Sequence, residues 1–445
     1  MVAKTRWGGL VDGFRAGGFF RLGERDGVSW LVDPDGGRFL SKGVNTVRLD
    51  QDQIRGGDRF PYAENCRRKY GSDEAWRAAA ATRLAGWGFN TLGSWSDEAV
   101  AGAGALPLAV TPNLDLGMSF AWPRGQRFPD LFDRAFETHL TQRAQELCAN
   151  RGDAQHIIGW FSDNELRWGP DWRGGDDLLT LFLNLPPRSP GRDAAIGLLR
   201  ERHDFAAFND AWRTPARSWD GLATLARIDA PYQRKPPHER SAPSEEAANR
   251  ADPRRAAVMA DCDAFLARLA ERYFALTCAA LRAADANHLL LGSRFAYPPP
   301  RAVVEAAGRH VDVVSFNCYD LGPEAALAAY AVTGKPCLIG EFSFRGEDSG
   351  LPNSGGAGPK VASQTERAAS FRRYAEAALR SPLLVGYHWF EHADQPAEGR
   401  SLDGENSNFG TVTIEDHVYG ELTAAMTEVN GAAETLHATA ARGET

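Results

Sequence analysis

Between residues 41 and 390, short apolar runs alternate with longer stretches in which apolar residues recur at helical spacing. Eight runs read as strands: 41–47, 88–95, 106–111, 157–164, 289–295, 311–317, 336–342 and 383–390. The spacing predicts helices over 73–87, 130–150, 261–286, 299–308, 324–332 and 364–380. Most of the strand runs are apolar at every position, not at alternate ones. Strands of that kind are buried on both faces, as in a parallel sheet covered by helices. The pattern therefore predicts an α/β fold, a closed (β/α)8 TIM barrel. It breaks over about 166–250, where Pro, Arg and Asp are frequent and only 176–185 and 194–212 look helical. A partly helical insertion after strand four is expected there, on the face where loops are free to grow. Ahead of the barrel, 19–22, 30–32 and 39–40 read as short strands. Asp26-Gly27 and Asp35-Gly36-Gly37 separate them as turns. The expected organisation is N-terminal strands capping the barrel (1–40), the barrel with its insertion (41–432) and a flexible tail (433–445).

Composition narrows the function. The net charge of −8 argues against a nucleic-acid binder, which needs a basic face to neutralise phosphate. Twelve Trp and ten Tyr supply flat faces that suit sugar rings. Six Cys stand without a CxxC pair, several inside apolar runs, and read as buried thiols in a reducing compartment. The N-terminus lacks the apolar run of a secretory leader, and no stretch is apolar enough to span a membrane. A cytoplasmic location is expected, or a secreted one if a leader has been removed. Nothing calls for a metal or an organic cofactor. A homo-oligomer is left open.

The polar residues that end the apolar runs carry the chemistry. Run four stops at Asn164-Glu165, and run seven at Gly340-Glu341. A glutamate is a poor residue for a buried strand unless it has a task. Two of them at the C-terminal ends of barrel strands form a pair of carboxylates across the barrel mouth, the equipment for breaking a glycosidic bond. Asn45, Ser94, Trp95, Arg294, Asn317, Tyr319, His388, Trp389 and Glu391 stand at the other strand ends. The loop after strand eight is dense in donors and acceptors, among them Asp394 and Asn406, and suits sugar hydroxyls. A mobile lid is expected over 345–360, with five glycines between 346 and 358. His388-Trp389-Phe390-Glu391-His392 matches H-x-x-E-H, a zinc-protease motif that needs a helix. Here a strand precedes it, so the reading is set aside.

Asn-Glu ending strand four and Glu ending strand seven resemble the signature of the retaining (β/α)8 glycoside hydrolases. Within that clan the chain is most similar to the agarase-like family 50. The stretches that carry the likeness are Phe39–Asn45, Asp163–Gly169, Gly340–Phe344, Gly386–Phe390 and Asp403–Gly410. Only short strands precede the barrel, in place of the large N-terminal β-sandwich of family 50 agarases. The resemblance implies a retaining double displacement, with Glu341 as nucleophile and Glu165 as acid/base. It implies Asn164 on the sugar 2-hydroxyl and Trp389 as the platform under the sugar. Trp168 and Trp389 would keep Glu165 dry, and Arg294 or Tyr319 would keep Glu341 ionised. The two carboxyl groups are expected about 5–5.5 Å apart. The implied partner is an oligo- or polysaccharide containing β-linked galactose, cleaved in an agarase-like or β-galactosidase-like manner. A different sugar, or a barrel that binds carbohydrate without cleaving it, stays open.

Overall fold

The computed structural model describes residues 3–11, 13–236 and 251–440. The end of the expected insertion, 237–250, and the last five residues of the expected tail lie outside them. Eight parallel strands form the centre: β4 (Ser41–Val44), β5 (Thr91–Leu92), β6 (Ala109–Val110), β7 (Gly159–Phe161), β8 (Leu289–Gly292), β9 (Val314–Asn317), β10 (Cys337–Phe342) and β13 (Leu384–Trp389). Six of them pair in the order β6-β5-β4-β13-β10-β9, and β7 pairs with β8. Parallel bridges link the two groups at Val110–Ile157 and at Phe295–Phe316. With them, each strand neighbours the next around a ring, and β13 returns to β4. The α/β class and the eight strand positions agree with the sequence reading.

The ring is filled by a small apolar core. Ala109, Ile158, Phe161, Leu291, Val313, Leu338 and Val385 come from the strands, and Trp7, Phe20, Leu31 and Phe39 come from the segment before them. That segment forms an antiparallel sheet of β1 (Arg21–Arg25), β2 (Val28–Val32) and β3 (Arg38–Phe39). Asp26 and Gly27 both take positive φ in the turn between β1 and β2, as a two-residue hairpin requires. The larger core lies between the strands and the helices outside them.

Four helices among the described residues were not legible in the pattern: Pro61–Tyr70, the short Met118–Ala121 and Trp219–Thr224, and Gly420–His437. Helix Gly420–His437 corrects the expected tail: it continues through His437, which is fully buried. The His437 imidazole is tied to the carbonyls of Leu379 and Ser29 and packs edge-on against Trp30 at 4.6 Å. Lys42 reaches out from β4 to this helix and meets Glu434 at 2.5 Å. In the insertion, the single helix expected over 194–212 is two, Pro190–Arg202 and Phe205–Trp212. Asp204 stands between them and caps the second by accepting from the Ala207 amide. Both pack on the long helix Pro253–Ala284, where buried Asp261 accepts from Arg202 and the Trp212 indole. Among the described residues, no helix is long and apolar enough to cross a membrane.

Candidate active site

The chain leaves the barrel through backbone that ordinary residues seldom adopt. Thr46, Trp95, Glu165 and Arg294, just past the ends of β4, β5, β7 and β8, all have φ between 43° and 63°. Non-glycine residues persist in this region only where the surroundings hold them, most often at functional sites. The strand ends open into a cavity of about 970 Å³. Asn164, Glu165, Asn317, Tyr319 and Glu341 stand in its floor, with Trp95 and Phe390 beside them.

One residue links the two carboxylates. Asn317 is the register partner of Glu341 across β9 and β10, and its Nδ2 donates to Glu165 Oε1 at 2.8 Å. Tyr319 donates its hydroxyl to Glu341 Oε2 at 2.6 Å. The fully buried Arg294 guanidinium lies 2.7 Å from Glu341 Oε1 and donates to the Gly340 carbonyl at 2.8 Å. Glycine at 340 leaves room for them: a Cβ there would stand 2.8 Å from Arg294 Nε and 2.9 Å from Asn317 Oδ1 and would displace both side chains. Burial, and then the charge of Glu341, push Glu165 up to about 7. Burial also raises Glu341, but Arg294 and Tyr319 oppose it. The pair is thus split into an acid still half-protonated near neutrality and a carboxylate facing a fixed cation.

Several expected site residues stand behind this surface and hold it. Asn45 Nδ2 donates to the carbonyls of Gly340 and Trp389, and its Oδ1 accepts from the Ser94 amide, which ties four strand ends together. The Ser94 side chain is buried at 0% exposure. Trp168 lies in an aromatic cluster, stacked on Phe274 at 5.7 Å, behind the Glu165 segment. His388 shares a 2.8 Å hydrogen bond with Ser41, and burial with nearby Arg294 brings it down to about 3. Glu391 accepts from Gln395, and burial with nearby Asp52 lifts it well above the carboxylate range. Asp394 accepts from Asn408, the Gly410 amide and Tyr419. Asn406 binds Ser354.

Trp389 is a correction. His388 and Phe390 face inward, so alternation along the strand turns Trp389 outward. It is fully buried against Phe371 and Arg367, and Phe390 takes the cavity wall in its place. A cis peptide joins Phe390 and Glu391. The expected lid is laced down as well. Arg345 donates to the carbonyls of Gly355 and Gly358, Asn353 accepts from the Asn408 amide, and β11 (Arg345–Gly346) pairs with β12 (Lys360–Val361).

Sequence reading missed other parts of the wall: Arg48, Asp52, Phe60, Trp172, Tyr297 and Phe409. They come from loops and turns whose approach is set by the fold, and only an aromatic residue in a polar stretch (Trp172) carried a local signal. Of the described insertion, only Trp172 reaches the cavity.

No family model matches the chain. It is 30% identical to Beta-agarase A of Vibrio sp. (strain JT0107), an alignment covering 92% of this chain and 45% of that protein. It is 26% identical to a solved exo-beta-agarase, with a TM-score of 0.79, over 98% of this chain and 68% of that one. The solved structure of PfGH50B shares the fold at a TM-score of 0.78 and 24% identity, over 98% of this chain and 69% of that one. The chain spans less than half the length of Beta-agarase A. The resemblance to the agarase-like family 50 glycoside hydrolases extends over nearly the whole chain.

Proposed function

We propose that this chain is a retaining glycoside hydrolase that cleaves β-glycosidic bonds in a galactose-containing polysaccharide of the agarose type. The observation that carries the reading is the split pair: Glu165 at about 7 beside Glu341, which faces Arg294 and Tyr319. In the first step Glu341 attacks the anomeric carbon while Glu165 gives its proton to the departing glycosidic oxygen. In the second, Glu165 takes a proton from water, and that water displaces Glu341 from the sugar. Asn164 stands beside Glu165 in the cavity and takes the 2-hydroxyl. Phe390 and Trp95 provide the apolar surface under the ring, the role first assigned to Trp389. The names of the agarase relatives support galactan as the substrate class.

Trapping tests both residue and stereochemistry. An activated 2-deoxy-2-fluoro-β-galactoside should leave a covalent label on the peptide containing Glu341, read by mass spectrometry. The first product from an agarose oligosaccharide should be the β-anomer by proton NMR, and Glu341→Gln should lower kcat by on the order of 10⁴-fold. A first-formed α-anomer, or a label on another residue, would overturn the mechanism.

A further inference from the structure

A tryptophan that stays in water despite its apolar area has a local cause. Among the described residues, Trp122 and Trp172 are the exposed ones, each at 58%, and only Trp172 borders the cavity. It sits at the tip of a tight turn. Asp171 and Gly174 exchange two backbone hydrogen bonds of 3.0 Å, leaving Trp172 and Arg173 between them. Buried Asp171 locks the turn by accepting from the Arg173 amide at 2.8 Å and from Arg173 Nη2 at 2.5 Å. The Arg173 guanidinium then lies 4.4 Å from the indole centroid and covers one face of it. The same guanidinium donates Nη1 to the Glu165 carbonyl at 2.7 Å. Tyr297 meets the indole edge-on at 6.3 Å. Tyr297 also lines the cavity, and its hydroxyl has no hydrogen-bond partner among the described residues.

We propose that Trp172 and Tyr297 form the binding platform for the sugar on the leaving-group side of the cleaved bond. This rests on reading Glu165 as the acid. The acid protonates the departing oxygen, so surfaces tethered to the acid face the departing sugar. Arg173 provides that tether. The turn fixes the indole before substrate arrives, so stacking costs little side-chain ordering. Arg173 makes the indole one-sided, and the Tyr297 ring extends the aromatic surface along the cavity wall. No other described residue of the insertion reaches the cavity, so the insertion acts on the substrate through this turn.

The test compares leaving groups. On agarose oligosaccharides that extend past the cleaved bond, Trp172→Ala should lower kcat/KM by about tenfold, mostly through KM, and Trp172→Phe should recover most of the loss. On the β-glycosyl fluoride of the sugar that Glu341 attacks, whose leaving group has no ring to stack, both variants should match the wild type. Equal losses on the two substrates would mean a structural role and overturn the proposal. So would an unchanged kcat/KM on the oligosaccharides. A wild type inactive on both substrates would overturn the glycosidase reading, and this platform with it.

Discussion

Two of the buried pairs of ionisable groups are treated in opposite ways. On the outer face of β4, Lys42 meets Glu434 at 2.5 Å, with both side chains about 5% exposed or less, and Lys42 Nζ also donates to the Asn430 carbonyl. Opposite charges with an added hydrogen bond are a way to hold a helix on a barrel. At the mouth, Glu165 and Glu341 are like charges, and the charge of Glu341 raises the cost of ionising Glu165. Such an arrangement weakens the fold and persists where chemistry needs it. The first pair should govern stability and leave catalysis alone, and the second should do the reverse.

The sharpest way to break this contrast is Lys42→Met. It leaves Glu434 buried without its partner and should cost about 3–5 kcal/mol in denaturant unfolding, with kcat of the folded protein unchanged. Adding Glu434→Gln should recover much of that loss, since the unpaired charge is gone. Arg294→Met tests the other side. Without its cation Glu341 rises further, so the acidic limb of kcat/KM should move to higher pH, and activity should fall by roughly a hundredfold. A smaller effect concerns Glu165 itself. It must be protonated to act as acid, and its value is raised to about 7, so kcat/KM should decline as pH rises through that value. In Glu165→Gln, assayed on an aryl glycoside with a good leaving group, that alkaline limb should vanish. Its survival would assign the limb to another group.

Much of the barrel was legible because most of its strand runs are apolar on both faces and end abruptly at polar residues. Glu165, Glu341, Asn164, Asn317 and Tyr319 all mark such ends, and all stand in the cavity floor. The same uniformity hid the phase within a strand. In Tyr387-His388-Trp389-Phe390 no polar alternation tells inside from outside, and Trp389 was set one residue out of step. Helix Gly420–His437 escaped because Thr423, Asn430 and Glu434 interrupt its buried face. The glycines of 345–360 suggested freedom, yet many of their contacts come from residues 406–408, which are distant in sequence. Arg48, Asp52 and Tyr297 reach the cavity only through tertiary placement.

The seam of the ring has a consequence for the order of events during synthesis. Asn45 donates to the Trp389 carbonyl across 344 residues, and β4 pairs with β13 along the same seam. At roughly 5–20 residues per second, β4 waits some tens of seconds on the ribosome for its last neighbour. Ser29 waits as well, since its amide bonds the Pro382 carbonyl and its own carbonyl meets His437. The first strands made are therefore among the last to be satisfied. For that interval the nascent chain exposes an unpaired strand edge, the point at which a holding chaperone would gain most.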